Sequence, residues 1–420
     1  MKLKLEQYPL LLNALPILDK LHSAGYEAYF VGGAVRDAIL GLTIKDVDIA
    51  TNAYPEQTMS IFDKAIPTGL QHGTVTVIDN KEHYEITTFR HESSYVDYRR
   101  PSNVEFVNEL KLDLARRDFT MNAMALDING TLYDPFNGLD ALQNHTLVAV
   151  GKADERFKED ALRMLRAVRF MVCYRLKPQK DLWDAIINHA PLLQHIAMER
   201  VYAELNKMLQ AISELSELKQ LAESSLLKFT KQSLYIGSNF SRLNTHIAFS
   251  QALVANAKWA LWLAHSDLSI DEIRSDLNSL KMSTMDKNII LLWIRLTRQC
   301  ANDKDNEALL KQEWLNALLH HDVQPLEYWL LHISPYINDE MSIALNSFHK
   351  QLCIYQIKQL AIKGSELAKS LNRPAGPWLK TTINQLFIAV NLNKLTNKKE
   401  DLIEYAANML GKEDIDEGKA

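Results

Sequence analysis

The chain has 420 residues, 47% of them hydrophobic and 24% charged, with a formal net charge of −5. That is enough apolar material for more than one core, and length alone predicts roughly two to four domains. The negative balance excludes a globally basic nucleic-acid binder, so any such binding has to come from local clustering. Cys173, Cys300 and Cys353 are far apart and form no CxxC, which reads as reduced, buried thiols of a cytosolic protein. The opening MKLKLEQYPLLLNALPILDK is too interrupted by charge for a signal peptide, and no apolar run approaches the ~18 residues of a membrane span. The expectation is a cytoplasmic protein with no membrane partner.

In chain order, the first ~150 residues alternate short strand-like runs with short helices. Helices are predicted at Leu10–Ala24 and Ala34–Leu40, the second starting directly after paired glycines. Strands are predicted at Tyr29–Val31, Asp46–Ala50, Thr74–Ile78, Tyr84–Phe89, Val104–Phe106 and Met124–Ile128, each bounded by Gly, Asn or Asp. Beyond Gly151 the glycines thin out and helical periodicity takes over, as in EDALRMLRAVRF, MERVYAELNKMLQ, NIILLWIRLTRQC and DLIEYAANML. The fold class is α+β, a mixed head followed by a long all-α region. A break is expected near Gly237–His246, a looser one near Asn302–Asn306, and a frayed, charged C-terminus.

The chemistry concentrates in FVGGAVRDAILGLTIKDVDIAT (Phe30–Thr51). Side chains at i and i+2 of a strand share a face, so Asp46 and Asp48 project together while Val47 and Ile49 turn to the core. Two carboxylates held this way suit a divalent metal; the alternative is a solvated strand end. Glu85 in YEITTF is the candidate third acid, with Tyr84 and Ile86 on the opposite face. Gly32 and Gly33 let the backbone approach a phosphate closely, and the following helix offers free N–H groups. No Walker GxxxxGK[ST] occurs, which excludes a P-loop.

GGAVRD followed by DVDIAT resembles the signature of the nucleotidyltransferase superfamily, in its class II tRNA nucleotidyltransferase and bacterial poly(A) polymerase branch. HGTVTV, EITTFR, YVDYRRPSNVEFV, LARRDFTMNAMALD, DPFNGLDAL, ERFKEDALRMLRAVRF and MERVYAELNKML resemble successive family segments, in order, over roughly residues 25–210. In the tail, GSELAKSLNRPAGPWLKTTINQL resembles a late segment. Length and tail resemble the CCA-adding enzymes of Gram-positive bacteria.

The resemblance implies a catalytic head (1–150), a helical neck that reads the base (151–210), a body (211–305) and a tRNA-binding tail (306–420). It implies that Asp46 and Asp48 hold Mg²⁺ and that these two with Glu85 are catalytic. Gly33, Arg36 and Arg117 would bind the nucleotide, Asp118 and Asn122 would shape the ribose pocket, and Asp134 and Gly138 would be structural. On its own, EDALRMLRAVRF reads as a salt-bridged helix with Arg163, Arg166 and Arg169 in a slowly rotating stripe. The resemblance makes Asp160 and Arg163 a protein template for C and A. A carboxylate accepts from the exocyclic amine of either base, while U and G present a carbonyl there. Arg166 and Arg169 would face phosphates or brace Asp160. Lys380, Trp378 and Arg373 are scattered over the helical remainder, which would cradle tRNA through its backbone and shape.

The implied activity is template-independent addition of C, C and A to the tRNA 3′ end from CTP and ATP, with pyrophosphate released. The acceptor stem, 3′ end and elbow of tRNA would be bound, and a homodimer is compatible with the resemblance. Poly(A) polymerase, CC-adding and A-adding enzymes of the same branch stay open, as does a catalytically dead RNA-binding module. The polar segment His91–Phe106, with Asp97, Arg99 and Arg100 before Pro101, is expected to be a mobile loop needed for adding A; the alternative is a surface hairpin of no consequence. The resemblance implies that relatives adding only CC lack it.

Overall fold

The computed structural model describes residues 1–96, 100–239, 253–302 and 306–417. They group into two compact units. The first comprises Met1–Ile212 with Ser216–Ser241 and Ser275–Lys281; the second comprises Ser213–Leu215, Arg242–Arg274 and Met282–Ala420. Much of the break expected at Gly237–His246, namely residues 240–246, lies outside the described residues, as do 303–305 and 418–420.

The first unit begins with α1 (Pro9–Ser23), which buries Leu11, Ala14, Ile17, Leu18 and Leu21 on one face. It continues through β1 (Ala28–Val31), α2 (Gly33–Ile39), β2 (Asp48–Thr51), α3 (Pro55–Ile61) and β3 (Ala65–Gly69). After these come β4 (Thr74–Asp79), β5 (Glu82–Thr88), β6 (Arg90–Val96), β7 (Arg100–Phe106), α4 (Leu110–Ala115), β8 (Ala125–Leu126) and β9 (Leu132–Tyr133). Seven strands form one mixed sheet in the order β3-β4-β5-β2-β1-β8-β9. β1 is antiparallel to β2, so its end at Val31 lies level with Asp48 at the start of β2. β2 is parallel to β5, which sets Asp48 level with Glu85. This register brings the glycine pair beside the acidic pair, although about a dozen residues separate them in sequence.

The strand expected at Asp46–Ala50 is shorter at its start: β2 begins at Asp48, and Asp46 precedes it. The alternation still holds, with Val47 and Ile49 buried and Asp46 exposed. The segment expected to be a loop is largely a two-stranded antiparallel hairpin of β6 and β7, from Arg90↔Phe106 to Val96↔Arg100. Tyr95, Val96, Val104 and Phe106 are residue types enriched in strands, which suits a ladder better than coil. Asp97 and Arg99 lie outside the described residues.

The remainder of the first unit is mostly helical: α5 (Gly138–Gln143), α6 (Ala153–Glu159), α7 (Leu162–Tyr174), α8 (Lys180–His189) and α9 (Met198–Ala211). EDALRMLRAVRF is thus not one helix. α6 ends at Glu159, and Asp160 takes an extended φ of −137° before α7 begins. α7 buries Leu162, Met164, Leu165, Val168, Phe170, Met171 and Val172. Phe170 meets Phe119 edge-on at 5.6 Å, which fastens α7 to the head. Asp134 and Gly138 are structural, as expected. Asp134 accepts from the Gly138 and Leu139 N–H groups at 2.7 and 2.9 Å, and a Cβ at Gly138 would stand 2.3 Å from the Thr120 carbonyl oxygen.

In the second unit, helices bury Trp259, Trp262, Trp314 and Trp329. Trp329 Nε1 donates to Thr297 Oγ1 at 3.1 Å and Trp314 Nε1 to His349 Nδ1 at 3.3 Å, so these indoles are satisfied. Trp378 is half-buried, not core: it stacks under Arg373, whose guanidinium lies 5.4 Å from the ring centre. Of the three cysteines only Cys300 is buried; Cys173 is half-buried and Cys353 exposed. No helix among the described residues is long and apolar enough to cross a membrane.

Candidate active site

A cavity of about 490 Å³ opens in the first unit where the ends of β1 and β2 face α7. Its walls include Gly32, Gly33, Arg36, Asp46, Asp48 and Asn122, with Phe170 at one side. They carry seven arginines (36, 116, 117, 163, 166, 169, 200) against four aspartates (46, 48, 118, 160), a net excess of three positive charges. An overall acidic chain therefore concentrates cations where a polyanion would enter.

Two carboxylates mark one wall. Burial, reinforced by the Asp46 charge and more weakly by Glu85, pushes Asp48 up to about 6, and Arg117 opposes them. Gly32 has φ +70°, and a Cβ there would stand 3.1 Å from Arg117 Nη1 and 3.5 Å from Asp48 Oδ2. The glycine thus keeps open a space between cation and carboxylate that any side chain would fill. Glu85 shares the ladder rung of Asp48 but is exposed and does not line the cavity. Among the described residues no three acidic, histidine or cysteine groups form a metal-holding cluster.

Behind that wall, ion pairs hold the arginines. Asp113, 1% exposed, accepts from Arg116 Nε and Nη2 at 2.9 and 2.8 Å and from Arg117 Nη2 at 3.2 Å. Burial alone would raise its pKa; the two arginines outweigh burial and hold it below the ordinary range. Arg117 Nε is buried with no hydrogen-bond partner, a donor left for something else. Asp118 Oδ1 accepts from the Phe119 N–H and Asn122 Nδ2, at 2.8 and 3.0 Å, and its Oδ2 from Arg166 Nε at 2.7 Å. Burial opposes ionisation, but Arg166 and Asn122 bring Asp118 down to about 2. Asn122 Oδ1 in turn accepts from Arg36 Nη1 at 2.7 Å, and the Arg36 guanidinium stacks 4.5 Å from the Tyr174 ring centre. Arg36, Asn122, Asp118 and Arg166 form one continuous chain from α2 to α7.

The α7 arginines depart from expectation. Arg163 Nη1 donates to Glu159 at 2.6 Å and Nη2 to the Arg116 carbonyl at 3.0 Å. Arg166 braces Asp118, and Arg169 Nε donates to Glu204 of α9 at 2.5 Å; neither makes an ion pair with Asp160. Asp160 is held instead by Arg200 of α9, Nη2 to Oδ2 at 2.9 Å. Three structurally decisive groups escape the sequence reading: Asp113, Arg200 and Glu204. Only Asp113 carried a local signal, its i,i+3 and i,i+4 spacings to Arg116 and Arg117; Arg200 and Glu204 pair instead with Asp160 and Arg169, 40 and 35 positions away.

The chain is similar to known proteins over most of its length. Residues 28–148 match the poly(A) polymerase head domain, 175–234 the "Probable RNA and SrmB- binding site of polymerase A", and 254–406 tRNA nucleotidyltransferase domain 2. The chain is 40% identical to the CCA-adding enzyme of Listeria innocua, over 93% of this chain and 96% of that one. It is 37% identical to the CCA-adding enzyme of Staphylococcus epidermidis, over 94% and 96%. The crystal structure of the Bacillus stearothermophilus CCA-adding enzyme in complex with CTP is similar, with a TM-score of 0.77 and 31% identity, over 97% of this chain and 99% of that one. With these likenesses over nearly its full length, the chain belongs to the CCA-adding enzyme family of nucleotidyltransferases.

Proposed function

We propose that the chain adds C, C and A to the tRNA 3′ end from CTP and ATP at the arginine-rich cavity, and that Asp46 and Asp48 hold the catalytic Mg²⁺ ions there. The observation that carries this reading is an acidic pair opening onto a cavity of net positive charge, with Gly32 keeping clear the space between Asp48 and Arg117. The donor set fits the metal. Mg²⁺ prefers oxygen ligands and is commonly held by one or two carboxylates plus substrate phosphates, so a two-acid site is what a triphosphate would complete. Bound divalent metal would polarise the primer 3′-hydroxyl and neutralise charge on the leaving pyrophosphate.

The chain's own residues do the rest. Arg117, with its unpartnered Nε, grips triphosphate oxygens, and Gly33 admits phosphate close to the backbone. Asp118 and Asn122, tied to Arg166 and Arg36, shape the ribose pocket. Asp160 and Arg163 read the base edge from the mouth of α7, with Arg169 held beside them by Glu204. Glu85 raises negative potential at Asp48 without lining the cavity. Head (1–150) and neck (151–210) act together as the chemical module, while body (211–305) and tail (306–420) hold tRNA. A second cavity of about 940 Å³ in the second unit supports the tail's part: amid a largely apolar lining its charged residues are Lys358, Lys363 and Lys380, with His320, against Glu366. Its lysines would meet tRNA phosphates. We place the enzyme in the cytoplasm, where its substrates are.

The test is to incubate the protein with CTP, ATP, Mg²⁺ and tRNA ending at its discriminator base, then sequence the 3′ ends. Complete CCA ends are expected, with Asp48→Asn slower by about three orders of magnitude or more. Ends carrying only CC, or runs of A, would refute the proposed reaction.

A further inference from the structure

The aspartate proposed to read the base has a partner from another helix. Asp160 stands in the break between α6 and α7. Its Oδ1 accepts from the Leu162 N–H at 3.0 Å and from Arg200 Nη1 at 3.4 Å; its Oδ2 accepts from Arg200 Nη2 at 2.9 Å. A carboxylate oxygen has two lone-pair sites. Oδ1 is therefore filled, and Oδ2 keeps one acceptor site. Both side chains line the cavity and stay partly open to it, 16% for Asp160 and 27% for Arg200. One turn along α9, Glu204 fastens Arg169 of α7, so the helix carrying Arg200 is itself tied to the arginine stripe.

We propose that Arg200 is a positioning residue for base selection: its planar fork locks the Asp160 carboxylate so that a single acceptor site is left for the exocyclic amine of C or A. This rests on Asp160 as the reader of the base and goes beyond it by naming what fixes the reader. A two-point grip holds the plane of the carboxylate, which one donor would leave free to turn. A fixed acceptor facing the carbonyl of U or G leaves two lone pairs opposed and no donor between them, which is how discrimination arises at a buried polar contact. A carboxylate free to rotate would withdraw from that clash, and the wrong base would be less penalised.

The experiment measures kcat/KM for CTP and for UTP on tRNA lacking its CCA end, for wild type, Arg200→Ala, Arg200→Lys, Asp160→Asn and the Asp160→Asn/Arg200→Ala double variant. The CTP/UTP ratio is expected to fall about tenfold in Arg200→Ala, and by less in Arg200→Lys, where one ammonium cannot hold both oxygens. The double variant should be no less selective than Asp160→Asn alone, because the two side chains act as one unit. Asp160→Asn lowering the ratio while Arg200→Ala and Arg200→Lys keep the wild-type ratio, with both substrates slowed equally, would overturn the inference but not the role of Asp160. A wild-type ratio in Asp160→Asn would overturn both. If Arg200→Ala does not fold, Arg200→Lys and an Arg200→Gln variant give the same readings.

Discussion

Asp118 is buried and still ionised, because Arg166, Asn122 and the Phe119 N–H fill its oxygens. Removing one partner of a buried pair leaves the other charge uncompensated, at a cost of roughly 3–5 kcal/mol. Asp118→Asn keeps the shape and deletes the charge, so it should cost about 3 kcal/mol at pH 7. The folded carboxyl titrates at about 2, below the ordinary 3.8. Its contribution is therefore complete above pH ~4 and is lost as pH falls towards 2. Urea unfolding at pH 7 and at pH 2.5 would check this: the gap between variant and wild type should be wide at the first pH and mostly closed at the second. A constant gap would place the cost in packing. At this scale, most residues that touch the cavity were legible, Arg200 being an exception, and those that hold them were less so. Asp46, Asp48, Arg117 and Asp160 stand in recognisable motifs, whereas Glu204 fixes Arg169 across 35 positions, a separation that no local spacing announces.

At the scale of elements, helical periodicity ran through Glu159 and Asp160 because the apolar positions on both sides keep one phase. The structure breaks there, since an aspartate in extended backbone can bond the first N–H groups of the next helix, as Asp160 does with Leu162. The break takes Asp160 out of the arginine stripe and turns it towards Arg200. The β6–β7 hairpin shows the opposite error, polar residues read as loop where a ladder forms. We propose that this hairpin is the element that resets the site for A, because one pocket must take the smaller C twice and then the larger A. Replacing Ser93–Pro101 with a short glycine linker should leave C addition largely intact and stop A addition, followed by the lengths of labelled tRNA ends. Equal loss of both steps would point to a general role for the hairpin, and normal CCA ends would show it dispensable.

For the whole molecule, the sequence conveyed a mixed head and a helical remainder because strand and helix periods are local properties. The grouping of residues 275–281 with the first unit was not legible, as it depends on contacts such as Asp276 accepting from the Tyr235 and Ile236 N–H groups at 2.8 and 2.9 Å. If the lysines of the second unit meet tRNA phosphates, Lys363→Glu/Lys380→Glu should weaken tRNA binding about tenfold at low salt and flatten its salt dependence. KM for CTP should be unchanged, since the cavity proposed to bind the nucleotide lies in the first unit. Filter binding over a salt series reads the first effect and steady-state kinetics the second; unchanged tRNA affinity would remove these lysines from the interface.

The single carboxylate held by Arg200 also bounds how much information this enzyme can store. On the proposed reading, one fixed acceptor asks one binary question of an incoming nucleotide, amine or carbonyl, and so sorts four letters into two classes. C and A receive the same answer. A protein that writes C, C, A thus encodes only half of each letter in its reading site; the other half has to be supplied by the length of the strand already written, which makes the growing tRNA end part of its own template.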